Sequence, residues 1–309
     1  MLKYRASTRQ AIFSLLLLLF LRPVSWTQET SSWTQRELAW REHRTALLLS
    51  EPPQGWLSVV GLNWLTEGVS VSVGSASDNT VRMDDCSQHL GVFRLKNGKV
   101  TISPPVGGFP GSVHIDGQRA SEQTLRPYYA SEEPSTIRDG SVTIYILSDG
   151  DKLGLSIWDT KAPTRLQFRG LQYFPASSKY LIHARWIPYN PPRVETHTSI
   201  LGLPSESTVP GAAEFVLEGE TFRVEPLDMD ESLLQFALAD RTNGSTTYGG
   251  GRYLTTAYPD HGLRNPGEIV LNMNRLYNPP CAFTHYVNCT LAPAQNRLSI
   301  KLEVGEKKY

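Results

Sequence analysis

Short stretches of alternating apolar and polar residues are the dominant pattern of this chain. In one stretch Ile182, Ala184 and Trp186 share one side, while His183 and Arg185 share the other. Successive side chains of a β-strand point to opposite faces of the sheet, so this period of two predicts a half-buried strand. The same pattern predicts strands over residues 69–73, 142–147, 153–158 and 298–304.

One helix is predicted, close to the N-terminus. Ser32-Trp33-Thr34-Gln35 has the form of a capping box and predicts a helix that continues to about Leu49. Pro52-Pro53 follows, and proline does not continue a helix because it lacks the backbone N–H. No later segment predicts a helix long enough to connect two parallel strands, so we expect the sheets to be antiparallel.

Turn residues join the predicted strands into hairpins. The chain has 24 Gly and 21 Pro among 309 residues, which fits a β-rich fold better than a helix bundle. Asp149-Gly150 joins two predicted strands, and Asn243-Gly244 between residues 233–239 and 246–254 predicts a tight type I′ hairpin. The predicted fold is mainly β: antiparallel sheets in two packed lobes, forming a sandwich or a partly open barrel, with a short N-terminal helix.

The N-terminus has the composition of a targeting segment. Lys3, Arg5 and Arg9 precede an apolar run over residues 11–21, which is shorter than the about 20 apolar residues that span a bilayer. This order is typical of a secretory signal peptide. Residues 23–27 contain no A-x-A cleavage pattern, so an uncleaved anchor is the alternative. Both forms predict an extracytoplasmic protein, periplasmic or secreted, without a membrane span beyond this leader.

These patterns divide the chain into three segments. Residues 1–27 form the leader, as a signal peptide or an uncleaved anchor. Residues 28–160 form the helix and a first β lobe, and residues 161–309 form a second β lobe. The boundary falls at Lys161-Ala162-Pro163, and a chain of this length has enough material for two modest domains.

The three cysteines bear on the compartment. Cys281 and Cys289 lie close together in a proline-rich segment, where an oxidising compartment favours a disulfide. Cys86 is left as a free thiol. The alternative is that Cys281 is a catalytic nucleophile with His285 as its base. A histidine nearby in sequence is weak support for that role, because cysteine reactivity depends on its environment.

Charge and motif content argue against several classes of function. Thirty basic side chains balance thirty acidic ones without a basic run, so we expect no binding of nucleic acid. The chain contains no G-x-S-x-G elbow, no H-E-x-x-H, no Walker loop and no G-x-G-x-x-G. No His or Cys pair has metal-ligand spacing. We therefore predict no metal and no cofactor, and the sequence leaves open whether the protein is an enzyme.

Unusual backbone residues and polar side chains concentrate in the last third of the chain. Gly249-Gly250-Gly251 precedes Arg252. These glycines either permit a close backbone crossing beside a structural ion pair, or present N–H groups and a guanidinium to an anion. The tryptophans pose a similar choice. Trp56 and Trp158, among others, belong either to the core or to a platform that stacks on sugars.

With these residues the chain resembles the domain-of-unknown-function 1684 family, from about Trp40 to Glu306. The likeness rests on Gly55-Trp56-Leu57, Gly61-Leu62-Asn63-Trp64-Leu65, Phe168-Arg169-Gly170, Tyr173-Phe174-Pro175, Tyr248-Gly249-Gly250-Gly251-Arg252, Asn278-Pro279-Pro280-Cys281-Ala282, Asn296-Arg297-Leu298 and Gly305-Glu306. Asn272-Met273 stands where the family usually has an aspartate and a phenylalanine, which weakens any acid–base role there. The family has no known activity, so the resemblance implies a site without naming its use.

A second, more distant likeness concerns the first lobe. Val73-Gly74-Ser75, Asn79 and Ser87-Gln88-His89 are similar to motifs of forkhead-associated domains, which are β-sandwiches that bind phosphothreonine. Ser75 stands where those domains carry an arginine, so the charged half of phosphate recognition is missing. The resemblance implies a sandwich topology more than phosphopeptide binding.

Together these observations favour an exported protein that binds a small polar or anionic ligand in a pocket of the C-terminal lobe. Arg252 is the expected anion partner. The other expected contacts are Tyr248, Asp240, Asn274, Tyr277 and Asn278. A hydrolase or transferase that uses the same pocket, through Cys281 or an acid from Asp240, is one alternative. A structural or interaction module is another.

Overall fold

The computed structural model describes residues 26–128, 133–200, 202 and 204–309. The leader expected over residues 1–27 lies almost wholly outside these residues. The fold is mainly β, as predicted, with several antiparallel sheets in two lobes and a helix near the N-terminus. Among the described residues, no helix is both long enough and apolar enough to cross a membrane.

The N-terminal helix, α1 (Trp26–Leu48), is longer than predicted. The expected start at Ser32 is wrong, because the helix already begins at Trp26. Its end near Leu49 is confirmed. The Ser32 hydroxyl does not mark a helix start, since Arg36 one turn later donates a hydrogen bond to it over 3.4 Å, as helical neighbours four residues apart do.

The first lobe is a sandwich of two sheets. Its strands are β1 (Val59–Trp64), β2 (Ser70–Gly74), β3 (Val81–Arg82), β4 (Gly91–Lys96), β5 (Lys99–Ser103), β6 (His114–Ile115), β7 (Gln118–Arg119), β8 (Gln123–Leu125), β9 (Thr136–Asp139), β10 (Val142–Asp149) and β11 (Lys152–Asp159). They form a six-stranded sheet, β1-β11-β10-β9-β6-β7, and a five-stranded sheet, β3-β2-β4-β5-β8. Phe93 of one sheet and Ile144 of the other belong to the same buried core.

The hairpin predicted across Asp149-Gly150 is confirmed. β10 and β11 pair antiparallel from Val142 opposite Asp159 to Asp149 opposite Lys152. The expectation of antiparallel sheets has one exception, since β2 and β3 pair in parallel.

The second lobe also consists of two facing sheets. Its strands are β12 (Leu181–Thr198), β13 (Pro204–Leu217), β14 (Glu220–Val224), β15 (Asp228–Met229), β16 (Leu233–Leu238), β17 (Arg252–Ala257) and β18 (Gly267–Asn272). They form the sheets β14-β13-β12-β18 and β15-β16-β17. Trp186 and Phe236 meet in the shared core, and the predicted alternation around Trp186 is confirmed, because Ile182, Ala184 and Trp186 are buried.

Short helical turns complete the chain. They are α2 (Pro163–Leu166) and the 3-10 turns Trp56–Ser58, Ser178–Tyr180, Met273–Arg275, Pro280–Ala282 and Ala294–Asn296. No strand pair of the described residues joins the sheets of one lobe to those of the other.

The hairpin predicted at Asn243-Gly244 is partly wrong. β16 and β17 do pair, but the second strand begins at Arg252 instead of Thr246. Side chains organise the connection as a wide loop: Asn243 Nδ2 donates to Tyr248 O over 2.8 Å, and Thr242 N donates to Asp240 Oδ1 over 2.8 Å. Polar side chains thus form hydrogen bonds with backbone groups that would pair between the two strands in a tight hairpin.

The strand predicted over residues 298–304 is also wrong, although its inward pattern is right. Leu298, Ile300, Leu302 and Val304 are buried, yet the segment has no strand geometry. Its backbone bonds are mixed. Leu298 N donates to Ala239 O over 2.8 Å, but Leu302 N donates to Asp240 Oδ1 over 3.1 Å, and the guanidinium of Arg252 donates to Leu302 O over 2.9 Å and to Val304 O. The side chains of Asp240 and Arg252 thus bind backbone groups of Leu302 and Val304 that a neighbouring strand would otherwise pair.

Candidate functional site

A cleft of about 960 Å³ lies between the two lobes. Helix α1 forms one wall through Trp40 and Arg44. The hairpin of β10 and β11 contributes Tyr145 and Trp158. The second lobe closes the cleft with the far ends of β12 and β13, the strands β16 and β17, and residues 286–290. The cleft thus uses residues of both lobes, whereas the pocket was expected within the C-terminal lobe.

Aromatic side chains dominate the walls. Eight of them line the cleft: Trp40, Trp56, Tyr128, Tyr145, Trp158, Tyr253, Tyr277 and Tyr286. The ring centroids of Trp56 and Trp158 are 5.3 Å apart, and those of Tyr253 and Tyr277 are 6.0 Å apart and nearly perpendicular. Such packed pairs hold each other rigid and present defined ring faces and edges.

Polar groups on the walls are held in place by hydrogen bonds. The Tyr277 hydroxyl lies 3.1 Å from Gln235 Nε2, which donates to it, and 3.0 Å from Thr255 Oγ1. Asn288 Nδ2 donates to Asp149 Oδ2 over 2.8 Å, so this pair links the second lobe to the first. Asn288 Oδ1 is buried without a partner among the described residues.

The charge of the lining is acidic. Asp149, Glu206 and Asp228 contribute carboxylates to the lining. Among the described residues of the lining, Arg44 is the one Lys or Arg side chain. The Arg44 charge is already met, because its Nε lies 3.0 Å from Glu306 Oε1. This balance disfavours an anionic ligand and favours a neutral or cationic one.

Arg252, the expected anion partner, lies behind the cleft in the protein interior. It is 1% exposed, and its Nη2 lies 3.0 Å from Asp240 Oδ2 in an ion pair whose acid is equally buried. Burial lowers the pKa of the guanidinium, and the Asp240 carboxylate opposes that shift. Its Nη1 and Nη2 atoms also donate to carbonyls of residues 302–306. The charge that a ligand was expected to meet is met by the protein itself.

The glycine before this arginine has a packing reason. Gly251 has a φ of 91°, and a Cβ there would lie 2.7 Å from Leu238 O. Another residue would clash with the neighbouring strand and adopt an unfavourable backbone conformation. The geometry supports a close backbone crossing at this glycine beside the buried ion pair of Arg252.

The expected asparagine ligands are structural in their contacts. Asn274 is fully buried and exchanges bonds with the Ser177 backbone, over 2.8 Å to its N–H and 3.0 Å to its carbonyl. Asn278 is fully buried as well, and its Nδ2 donates to Lys307 O over 2.8 Å. Both amides satisfy backbone groups of adjacent segments, which is the common role of buried asparagine.

Glu306 organises this region, although sequence reasoning gave it no role. Its fully buried carboxylate accepts from Arg44 Nε, from Asn278 N over 2.7 Å and from Tyr173 OH over 3.3 Å. Burial raises the pKa of this carboxyl, and the charge of Arg44 opposes the shift. The only signal in the sequence was its place in the Gly305-Glu306 motif.

Cys281 and Cys289 are adjacent, buried and free. The backbone N–H of Cys281 donates to Cys289 Sγ over 3.1 Å, and Tyr248 OH donates to Cys281 O over 3.1 Å. A hydrogen bond between the thiols lowers the pKa of Cys281 and raises that of Cys289. His285 is exposed and forms no hydrogen bond with Cys281 among the described residues, so nothing aligns it as a base.

Of the six expected ligand contacts, Tyr277 lines the cleft. Cys289 lines it as well. Arg252, Asp240, Asn274 and Asn278 form the buried scaffold behind the wall, and Tyr248 supports the cysteine loop. Gln235 and His197 were missed as site residues, because each belongs to a strand that gives no sign of which distant element it faces. Trp158 was considered only as core or as part of a platform that stacks on sugars. Within the described part of the chain, no group of three or more His, Cys, Asp or Glu could hold a metal ion.

Comparisons with known proteins agree with the likeness found in the second lobe. A family model described as "Protein of unknown function (DUF1684)" matches residues 166–307. The solution NMR structure of an uncharacterized protein of Haloarcula marismortui is 29% identical over 47% of this chain and 79% of that one, with a TM-score of 0.40. No curated protein matches the chain.

Proposed function

We propose that the cleft binds a small polyhydroxylated ligand, such as a carbohydrate, that is neutral or carries an amino group. The family whose model matches residues 166–307 is described only as of unknown function, so the proposal is argued from the cleft. The observation that carries this proposal is an interlobe cleft with eight aromatic side chains and an acidic polar lining. Its volume of about 960 Å³ is at the upper end of ordinary ligand pockets, which are roughly 300–1,000 Å³.

The wall chemistry suits such a ligand. Sugar rings present C–H groups to aromatic faces and hydroxyls to polar side chains, and the cleft offers both within one enclosure. Gln235, Thr255 and Tyr277 form a fixed polar cluster on the wall. An amino group would gain further from the carboxylates and the aromatic faces.

A ligand panel tests this proposal. We expect saturable binding of neutral or amino sugars to the full chain by isothermal titration calorimetry, and weaker or no binding of sugar phosphates and uronic acids. Tyr286→Ala removes a wall residue that is 45% exposed, so it should weaken binding about tenfold while leaving the fold intact. Val216→Ala, at an apolar position 66% exposed outside the cleft, is the matched control and should bind like the wild type.

A second experiment tests whether the cleft prefers a positively charged ligand. Asp228→Asn removes an exposed carboxylate of the wall and should weaken amino sugars more than their neutral counterparts. Asp84→Asn, whose side chain is 86% exposed and lies outside the cleft, is the control. Tighter binding of anionic sugars, or no saturable binding by any member of the panel, would contradict the proposal.

We also propose that the protein is exported and that Cys281 and Cys289 are then bridged. The basic and apolar leader supports export. The close approach of the two buried cysteines supports the bridge.

A further inference from the structure

We propose that His197 and Ser207 are a general base and a nucleophile for acyl transfer from an ester of the ligand that the cleft binds. Both residues line the cleft, and His197 Nε2 lies 2.8 Å from Ser207 Oγ. This inference rests on the proposed ligand site, since the ester must first lie against the aromatic walls. It adds a chemical step to that binding.

The strand pairing explains why the two side chains meet. β12 and β13 are antiparallel, with His197 opposite Ser205 and Glu195 opposite Ser207. Residues directly opposite share one face of the sheet, and so do their neighbours two positions along. His197 therefore reaches the diagonal neighbour Ser207 on the face that is turned to the cleft.

The environment keeps the imidazole neutral and the hydroxyl reachable. His197 is 5% exposed, whereas Ser207 is half-buried at the cleft wall. Burial lowers the pKa of His197, and the charges of Glu195 and Glu225 oppose this by smaller amounts. With its proton on Nδ1, the ring accepts the Ser207 hydroxyl hydrogen at Nε2, which is the arrangement of a base beside a nucleophile.

The reaction balances without a further co-reactant except water. Ser207 Oγ bonds to the ester carbonyl carbon while its proton moves to His197 Nε2. The C–O bond of the ester then breaks, and the alcohol leaves with the proton from Nε2. Water attacks the acyl-serine, gives its proton to His197, and releases a carboxylic acid as the proton returns to Ser207 Oγ.

A serine-directed fluorophosphonate probe tests the pair on the full chain, because Ser207 Oγ would displace fluoride and retain the phosphonyl group. We expect the adduct on the peptide that contains Ser207, identified by mass spectrometry, and none in Ser207→Ala. His197→Gln keeps a hydrogen-bonding side chain but removes the base, so labelling should slow by roughly 100-fold or more. Ser205→Ala is the matched control, since Ser205 lies on the same face opposite the same histidine, and it should label like the wild type.

The outcomes separate this inference from the ligand site. Sugar binding without a Ser207 adduct would overturn the base–nucleophile pair and leave the ligand site standing. A Ser207 adduct without sugar binding would overturn the ligand site and leave the base–nucleophile pair standing. An adduct on another serine, or equal labelling of His197→Gln with an unchanged thermal melt, would show that the bond between His197 and Ser207 only joins two strands.

Discussion

At the scale of single residues, the ion pair of Arg252 and Asp240 lies where almost no solvent reaches it. The carboxylate of Asp240 accepts from Thr242 N and Leu302 N as well as from Arg252. A charge transferred from water into the interior is tolerated only when it is paired and its remaining hydrogen-bonding atoms are satisfied. This acid and its arginine meet most of that requirement, with Arg252 Nε as the unpartnered atom in the described structure.

This pairing predicts a large effect of Arg252→Met on stability. The substitution keeps much of the side-chain volume but leaves Asp240 charged, buried and unpaired, and it removes the donors to the carbonyls of residues 302–306. Breaking a buried ion pair from one side costs about 3–5 kcal/mol. Urea unfolding should therefore show a loss of that size.

The control for Arg252→Met is Arg82→Met, which breaks an exposed pair with Asp84 at 3.3 Å. Exposed pairs contribute about 0–1 kcal/mol, so this variant should unfold close to the wild type. A loss for Arg252→Met no larger than for Arg82→Met would mean that the buried pair does not hold the fold.

At the scale of elements, local sequence patterns predicted those strands and hairpins whose structure depends on residues close together in the chain. The β10–β11 hairpin and the buried side of β12 follow from alternation over a few residues, and both are confirmed. Residues 298–304 show the same alternation, but the backbone of Leu302 bonds to the side chains of Asp240 and Arg252, which are far away in the chain. No local pattern reports that distant side chains bind backbone groups that a strand would pair.

The candidate site shows the same limit. Glycine, proline and asparagine drew attention to the second lobe because they are unusual in a core, and they proved to be the supports of the wall. The wall itself joins Trp158 of the first lobe to Tyr277 of the second. Each residue has an ordinary place in its own segment, and only the folded arrangement shows that they face a common space.

The segment that carries Cys281 and Cys289 gives an element-scale prediction about export. When the full chain is exported, the two thiols should lose two hydrogens to form a bridge, whereas a chain without residues 1–27, retained in a reducing cytosol, should keep both free. Closing so short a loop stabilises the fold by about 2.5 kcal/mol in the chain-entropy model. Mass spectrometry without reductant and urea unfolding of both forms measure this.

Cysteine variants provide the controls for the bridge. Cys281→Ser should remove the stabilisation from the exported form, while Cys86→Ser, at a half-buried thiol in the first lobe, should leave the bridge intact. Free Cys281 and Cys289 in the exported chain would contradict the proposed bridge. Retention of the full chain in the cytosol would contradict the proposed export.

At the scale of the whole molecule, helix α1 near the N-terminus contacts the C-terminal segment of the chain. Arg44 donates to Glu306 and to Asn278 O, and Glu37 pairs with Arg275 at 3.0 Å. Arg41 donates to Phe174 O over 3.0 Å. The helix was grouped with the first lobe on sequence, but its polar contacts are with the second lobe. One wall of the cleft is therefore positioned by the same residues that fix the end of the chain.

The carboxyl of Glu306 makes this attachment dependent on pH. Its pKa is raised in the folded state, so between the unfolded and folded pKa values the folded chain binds more protons than the unfolded chain. The contribution of this group to stability is therefore full below the unfolded pKa and decreases as the pH rises through the folded pKa. Glu306→Gln removes the titration. The wild type should therefore lose stability relative to this variant as the pH increases over that interval. The variant leaves Arg44 without its ion-pair partner at every pH.

Urea unfolding of both proteins across that interval measures the slope of the difference, which reflects the titration of Glu306 because the variant has no titrating group at this position. Glu218→Gln is the control, because its exposed pair with Lys179 at 3.0 Å lies outside the attachment. A difference between wild type and Glu306→Gln that stayed level with pH, or grew in favour of the wild type, would show that Arg44 and Asn278 stabilise the carboxylate by more than burial disfavours it. In that case the helix would be held by a permanent ion pair, and the cleft wall would be insensitive to pH.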